Sequence, residues 1–209
     1  MEVRIAEQCG FCPGVRNAIA LARQTLQSKG SVYCLGPIIH NQDVVNELTS
    51  MGMKTVDSID SIPQGTVLIR SHGATKKQLQ EIDGKGLTTV DATCVLVKRV
   101  QKIAAELEKQ GYQVVIIGDH KHPEVQAVVG FADHVQVIGS EDDLHNLSPH
   151  KKLGVISQTT QSPDHFAEMV ARIIKHGFSE LKVVNTLCRE TMHRQASAIE
   201  LCRQVDIMF

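Results

Sequence analysis

Three cysteines stand at corresponding points of a repeated sequence pattern. Cys12, Cys94 and Cys188 each follow a short apolar run and precede an amphipathic helical pattern. The cysteines are 82 and 94 residues apart, which indicates an internal repeat. The start of a helix favours the thiolate form of cysteine, because free backbone N–H groups and the helix dipole act there. Thiolates bind metal, and three converging thiolates would leave one position open at a four-ligand site.

The elements that position these cysteines follow the periodicity of alternating short strands and helices. Asn41 is suited to cap a helix, Thr75 with Gln78 forms a capping box, and Pro123 fits a first helical position. A further helix is predicted to start at Ser162. The apolar runs predict strands at residues 3–6, 31–35, 67–69, 87–90, 114–117, 135–138, 153–156 and 181–184.

This alternation predicts an α/β fold of βαβ domains with small parallel sheets in a pseudo-threefold arrangement. We assign residues 13–95 to a first α/β repeat and residues 96–187 to a second. Residues 1–12 and 188–209 would form a partial third repeat. Residues 205–209 have the pattern of a buried strand without a continuation, so we expect the chain to end inside its third domain.

Polar side chains follow several of the predicted strands, where ligands bind in parallel sheets. They are His40, His72, His122, Glu124 and Thr159. The two repeats match here, because a glycine precedes both His40 and His122 by four residues. Ser71 and His72 correspond in the same way to Gln158 and Thr159. The sequence therefore predicts one polar site at the carboxyl ends of both sheets.

Composition excludes several other classes of protein. The 209 residues have 42% hydrophobic and 22% charged residues and a net charge of −1, values typical of a folded globular protein. A near-neutral chain with no Trp and only two Tyr is a poor binder of nucleic acid. No apolar run reaches the roughly 18 residues of a membrane span. Six cysteines are too few for a disulfide scaffold and favour a reducing, cytoplasmic location.

Other cysteines and histidines have simpler interpretations. Cys34 lies in a predicted strand and Cys202 in a predicted helix, and both are expected to be buried small apolar side chains. Cys9 and Cys12 form a CxxC pair, which leaves a zinc site or a redox dithiol as an alternative. The histidines outside the repeat pattern are predicted to lie at the surface: His134, His145, His150, His165 and His176.

Several segments together resemble the IspH/LytB family of 4-hydroxy-3-methylbut-2-enyl diphosphate reductases. No single motif is sufficient, but their order along all 209 residues is that of the family. The matching segments are GFCPGV at 10–15, LGPIIHN at 35–41, RSHGA at 70–74, DATC at 91–94, GxxxHPEV at 118–125, QTT at 158–160 and CxxTxxRQ at 188–195.

The resemblance implies a role for each matching residue. Cys12, Cys94 and Cys188 correspond to the three ligands of a 4Fe–4S cluster. His40, His72 and His122 correspond to the histidines that hold the substrate diphosphate. Glu124 corresponds to the acid that delivers a proton, and Thr159 to the hydroxyl placed near the substrate C4 oxygen.

The activity implied is the reductive removal of an allylic hydroxyl in the last step of the non-mevalonate isoprenoid pathway. The products would be isopentenyl and dimethylallyl diphosphate, with electrons supplied by ferredoxin or flavodoxin. The family also has a Ser-x-Asn motif and a further Ser in its third domain, which this sequence does not reach. A non-catalytic fragment of such an enzyme is therefore the second interpretation.

Overall fold

Eight parallel strands form two separate four-stranded sheets, in a computed structural model that describes residues 2–147 and 151–209. The strand order is β2-β1-β3-β4 in the first sheet and β6-β5-β7-β8 in the second, so the second sheet repeats the topology of the first. The first sheet comprises β1 (Val32–Leu35), β2 (Met53–Val56), β3 (Thr66–Ile69) and β4 (Thr88–Asp91). The second comprises β5 (Gln113–Ile117), β6 (Val135–Ile138), β7 (Lys152–Ser157) and β8 (Glu180–Val183). The predicted α/β class with small parallel sheets is confirmed.

Helices connect the strands, and their starts follow the local sequence signals. Asn41 caps its helix by accepting from the Val44 N–H at 3.0 Å, and Thr75 with Gln78 forms the expected capping box. The helices are α1 (Pro13–Ser28), α2 (Gln42–Ser50), α3 (Lys76–Gly84), α4 (Val95–Lys109), α5 (Pro123–Val129), α6 (Pro163–Ile174) and α7 (Arg189–Cys202). Two 3₁₀ turns span Ile59–Ser61 and Glu141–Asn146.

Apolar side chains fill both faces of each sheet. In the first sheet, α1 and α2 pack on one face, where Ala18, Ile19 and Leu48 contact β1. In the second sheet, α4 and α5 cover one face and α6 covers the other. A parallel sheet buried on both faces has nearly continuous apolar strands, and β5 is buried along its whole length.

Two predicted strands are absent, and one observed strand was not predicted. Residues 3–6 form no strand, and Val3 and Ile5 are each 77% exposed. Residues 205–209 also form no strand, and Ile207 is 72% exposed. Both predictions were wrong because a β-pattern forms a strand only where a neighbouring strand accepts its hydrogen bonds, and neither segment pairs with β1–β8. The missed strand is β2, a short half-buried edge strand whose sequence, MKTV, carries little apolar signal.

The placement of the first and second sheets agrees with the order of the repeats, while the domain boundaries themselves stay a prediction.

Of the histidines expected at the surface, His134, His145 and His176 are exposed, His165 is partly buried, and His150 lies outside the described residues. Among the helices in the described part of the chain, none combines the length and the apolar character needed to cross a bilayer.

Gly154 provides a test of packing between α4 and the second sheet. A methyl group at this buried position in β7 would lie 3.0 Å from both Leu107 Cδ atoms and 3.2 Å from Tyr112 Cβ. We expect Gly154→Ala to lower the free energy of unfolding by about 1–3 kcal/mol, as overpacking does in cores. Denaturant unfolding measures the change. The matched control is Gly84→Ala at the exposed end of α3, where nothing lies within 4 Å and a gain of up to about 1 kcal/mol is expected. Equal stabilities for the two variants would contradict this packing.

Candidate functional site

The three repeat cysteines occupy the same structural position, the N-cap of a helix. Cys12 caps α1, Cys94 caps α4 and Cys188 caps α7. The Cys12 sulfur accepts from the Val15 N–H at 3.4 Å. All three thiols are free and partly buried. The structure thus places each of them at a helix N-terminus, where backbone N–H groups lack partners within the helix.

Cys12 and Cys94 come together across Gly14 in the first turn of α1. A Cβ atom on Gly14 would lie 2.8 Å from the Cys94 sulfur and 3.9 Å from the Cys12 sulfur. A larger side chain would therefore fill the space between the two thiols. The sequence analysis gave Gly14 no role, because its importance depends on Cys94, a residue 80 positions away.

Cys94 and Cys188 are held by equivalent backbone hydrogen bonds. The Cys94 N–H donates to the Ser71 carbonyl at 2.9 Å, and the Cys188 N–H donates to the Thr159 carbonyl at 2.8 Å. In the first sheet, Ser71 lies two residues after β3, and Cys94 follows the neighbouring strand β4. In the second sheet, Thr159 lies two residues after β7, and Cys188 follows the neighbouring strand β8. This geometry pairs Ser71 with Thr159, so the correspondence of His72 with Thr159 drawn from sequence was wrong by one residue.

The Cys12 loop contacts α7, the helix that Cys188 caps. The Gln8 N–H donates to Ser197 Oγ at 3.1 Å, and the Arg194 guanidinium donates to the Gly10 carbonyl. These contacts join the first and third cysteine segments. Arg194 belongs to a motif of the sequence analysis but received no role there, because its partner is a backbone atom remote in sequence.

The three cysteines do not form a compact site for one ion. Within the described residues, the group whose ligand atoms lie within 4.8 Å of one another consists of His40, His72 and His122, without any cysteine. A tetrahedral zinc site needs sulfur ligands about 2.3 Å from a single ion, hence closer together than this trio of thiols. The exposed Cys9 thiol adds no fourth member. The three thiols are therefore too far apart to bind one zinc ion together.

The three predicted histidines form one cluster of imidazole rings. The ring centroids of His40 and His72 are 4.3 Å apart. The centroid of the His122 ring lies 5.4 Å from that of His40 and 5.6 Å from that of His72. His40 is exposed, whereas His72 and His122 are partly buried. The first sheet supplies two members and the second sheet the third, so the cluster joins the two repeats.

Burial and the repulsion of nearby charges lower the pKa of two of these rings, His72 and His122. The pKa of His72 falls to about 3, chiefly because burial disfavours the charged ring and further because His40, Arg70 and His122 repel a proton. The pKa of His122 is lowered mainly by burial and also by His40. His72 Nδ1 is buried without a hydrogen-bond partner among the described residues. A buried polar atom of this kind costs free energy unless a ligand satisfies it.

His122 and Glu124 are fixed in the first turn of α5. His122 is the N-cap, and its Nδ1 accepts from the Glu124 N–H at 3.2 Å. A neutral ring that accepts at Nδ1 carries its proton on Nε2. The Glu124 carboxyl in turn accepts from the Thr159 N–H at 2.6 Å and from the Thr159 hydroxyl at 2.7 Å. These bonds connect the histidine cluster to Thr159, whose carbonyl holds Cys188.

Glu124 is an almost fully buried acid with a raised pKa. Only 3% of the residue is exposed, and burial raises the pKa of its carboxyl while the two bonds from Thr159 oppose the shift. A carboxyl with a raised pKa retains its proton closer to neutral pH. This arrangement can deliver a proton to a group bound nearby.

Comparison with known proteins identifies relatives over the whole chain. The family model described as LytB protein matches residues 3–209. The 4-hydroxy-3-methylbut-2-enyl diphosphate reductase of Geobacter metallireducens is 42% identical over 209 residues, covering 100% of this chain and 74% of the relative. The reductase of the same name from Alkaliphilus oremlandii is 41% identical over 211 residues, covering 100% of this chain and 75% of the relative.

Solved structures of enzymes with this type of name have the same fold. A structure of (E)-4-hydroxy-3-methyl-but-2-enyl diphosphate reductase, described as the terminal enzyme of the non-mevalonate pathway, matches with a TM-score of 0.82 and 38% identity. That match covers 98% of this chain and 74% of the other. The E-1-hydroxy-2-methyl-but-2-enyl-4-diphosphate reductase of Plasmodium falciparum matches with a TM-score of 0.90 and 26% identity, covering 96% of this chain and 65% of the other.

The low pKa of His72 predicts a defined effect of acid on stability. Below the ordinary histidine pKa the unfolded chain gains a proton at His72, while the folded chain gains it only near pH 3, so stability falls as the pH drops between these values. His72→Gln removes this loss. Between about pH 6.5 and pH 5, the stability of the wild type should therefore drop by about 2 kcal/mol relative to His72→Gln, at 1.36 kcal/mol per pH unit.

Denaturant unfolding at several pH values measures this difference. His134→Gln is the matched control, because His134 is exposed and its substitution should leave the pH dependence unchanged. A wild type and a His72→Gln variant with parallel pH profiles would show that His72 titrates normally.

Proposed function

The chain belongs to the LytB protein family, and from this premise we propose that it catalyses the reduction of 4-hydroxy-3-methylbut-2-enyl diphosphate. One observation carries the proposal beyond the family name. The Thr159 carbonyl accepts from the Cys188 N–H while the Thr159 hydroxyl donates to Glu124, so a buried acid is coupled directly to a cysteine segment. Reduction of a C–O bond requires electrons and a proton at one place, and this residue joins candidates for both.

We assign the three cysteines to one 4Fe–4S cluster. Three features support the assignment: the thiols are free, each caps a helix N-terminus, and they do not form the compact group that a single ion needs. A cluster bound by three thiolates supplies electrons and an iron without a protein ligand, which can act as a Lewis acid on the substrate oxygen. Cys12, Cys94 and Cys188 would be its ligands.

His40, His72 and His122 are proposed to bind the diphosphate. Neutral imidazoles with free N–H groups donate hydrogen bonds to phosphate oxygens, and His122 has its Nδ1 already occupied as an acceptor. A bound anion would also satisfy the buried His72 Nδ1 by favouring a proton on it. The neighbouring start of α2, which follows His40, adds backbone N–H groups that favour negative charge.

Glu124 is proposed to protonate the leaving hydroxyl of the substrate, and Thr159 is proposed to position that hydroxyl. The overall reaction breaks the allylic C–O bond, consumes two electrons and two protons, forms a C–H bond and releases water. Of these two protons, Glu124 would deliver the one that goes to the oxygen. The products would be isopentenyl and dimethylallyl diphosphate, and a cytoplasmic ferredoxin or flavodoxin would supply the electrons.

The zinc or redox interpretation of Cys9 and Cys12 has less support. Cys9 is exposed, and neither cysteine belongs to a compact ligand group in the part of the chain that the structure describes. The other interpretation, a cluster-binding chain without turnover, makes the same prediction for iron as the enzyme does. Product formation with a chemical reductant separates the two.

The cluster assignment predicts the iron content of the purified chain. Protein prepared without oxygen should contain about four iron atoms and equivalent acid-labile sulfide, the content of one 4Fe–4S cluster. Cys94→Ser should lose most of this iron, because it removes one of three ligands. Metal analysis and visible absorbance measure the loss.

Cys202→Ser is the control, since Cys202 is an exposed thiol at the end of α7. The expectation that Cys202 is buried was wrong, because no side chain of α7 is buried. Cys202→Ser should retain the iron of the wild type. Zinc in place of iron, or a Cys94→Ser variant with unchanged iron, would contradict the three-cysteine assignment.

The role of Glu124 predicts a loss of turnover with an intact cluster. Gln is nearly isosteric: its carbonyl can accept from the Thr159 N–H, and its amide can donate to the Thr159 hydroxyl. Glu124→Gln should therefore fold and hold iron, but lower kcat by about 10²–10⁴, the usual contribution of a general acid. The wild-type rate should also fall as the pH rises through the raised pKa of Glu124, since only the protonated acid can donate.

Anaerobic product formation with dithionite measures both effects. Glu106→Gln on the exposed face of α4 is the matched control and should retain the wild-type rate. A Glu124→Gln variant with wild-type kcat would exclude Glu124 as the proton donor.

A further inference from the structure

Arg70 is a partly buried cation beside the histidine cluster. It directly follows β3 and precedes His72 by two residues. Its backbone belongs to a tight turn, in which the Gly73 N–H donates to the Arg70 carbonyl at 2.9 Å. The following residue, Ser71, donates from both its N–H and its hydroxyl to the Ile38 carbonyl, which ties this turn to the loop that carries His40. The turn that contains Arg70 and His72 is therefore held against the loop that carries His40.

Gly36 makes room for the Arg70 guanidinium. Its φ is +74°, a conformation that favours glycine, and its N–H donates to the Val56 carbonyl at 2.9 Å. A Cβ atom on Gly36 would lie 2.6 Å from Arg70 Nη1 and 3.4 Å from Cζ. The guanidinium thus rests against the backbone of Gly36, at the start of the loop that leads to His40.

Within the described residues, no anion balances this charge. Among residues 2–147 and 151–209, no carboxylate is in salt-bridge contact with Arg70, although many surface arginines have such partners. The nearby Cys34 thiol is uncharged, because burial raises its pKa to about 12. The charge of Arg70 instead contributes to the lowered pKa of both His72 and His122. Burial of a cation without a partner is costly, and such a cation is best explained by an anion that comes from outside the protein.

We propose that Arg70 supplies the fixed positive charge that attracts the diphosphate to the histidine cluster. The inference rests on the proposed function and deepens it, since it adds a cation to a site in which the pKa values of His72 and His122 are lowered. The histidines would give directed hydrogen bonds, and Arg70 would give the charge that neutral rings lack. The Arg70 guanidinium lies against Gly36. Arg70 would therefore attract and position the diphosphate without taking part in the reaction itself.

The test is direct binding of inorganic diphosphate to the chain with its iron–sulfur cluster loaded. Calorimetric titration without divalent metal ions gives Kd for the wild type, Arg70→Met, Arg70→Gln and Arg70→Lys. We expect Kd to rise about tenfold in the two neutral variants, which corresponds to about 1.4 kcal/mol. The Kd of Arg70→Lys should stay within about threefold of the wild-type Kd, because lysine keeps a positive charge near the histidine cluster.

The control is Arg99→Met, since Arg99 is an exposed arginine on α4 and its loss should leave Kd unchanged. Circular dichroism and cluster absorbance identify folded variants, and Arg70→Gln decides the outcome if Arg70→Met does not fold. A folded neutral variant that binds as tightly as the wild type would overturn the role of Arg70 and leave the proposed function intact. An Arg70→Lys variant as weak as the neutral ones would also overturn it, because shape and not charge would then matter. A wild type that does not bind diphosphate would overturn both proposals together.

Discussion

A pair of backbone hydrogen bonds determines how this chain builds its site. In each sheet, the N–H of a cysteine donates to a carbonyl just past the neighbouring strand: Cys94 to Ser71, and Cys188 to Thr159. The carboxyl ends of parallel strands meet at one edge, so a bond between two such ends holds both connecting loops at that edge. The residues beside each acceptor carbonyl are therefore brought close to a thiol, whichever side chains they have.

The two repeats use this shared geometry for different chemistry. His40 and His122 hold equivalent places, but two residues later the first repeat has Gln42, which is exposed, and the second has the buried Glu124. In the first repeat, His72 directly follows the residue whose carbonyl accepts the hydrogen bond. In the second repeat, that accepting residue is Thr159, and its hydroxyl donates to Glu124. The same backbone geometry thus places the proposed anion-binding histidines mainly on the first sheet and a buried acid with a raised pKa on the second.

Local signals in the sequence were sufficient for most of the helices and strands, while long-range contacts were not predictable. The caps at Asn41 and Thr75 and the parallel sheets follow from nearest neighbours and from apolar periodicity. The strand predicted at residues 3–6 failed because pairing partners cannot be read from a single segment. No role was predicted for Gly14 or Arg70 for the same reason, because the important contact of each is with a distant segment. Gly14 lies against the Cys94 sulfur, and Arg70 lies against the Gly36 backbone.

The first turn of α5 constrains what the site can accept. His122 and Glu124 lie two residues apart, and the bond from the Glu124 N–H to His122 Nδ1 fixes the ring relative to the acid. Under the proposed function, the diphosphate binds the ring and the hydroxyl meets the acid, so the two ends of the substrate lie within one helical turn of each other. The electrostatics favour this arrangement, because burial raises the pKa of Glu124 and so favours the uncharged acid, which does not repel an anion held beside it.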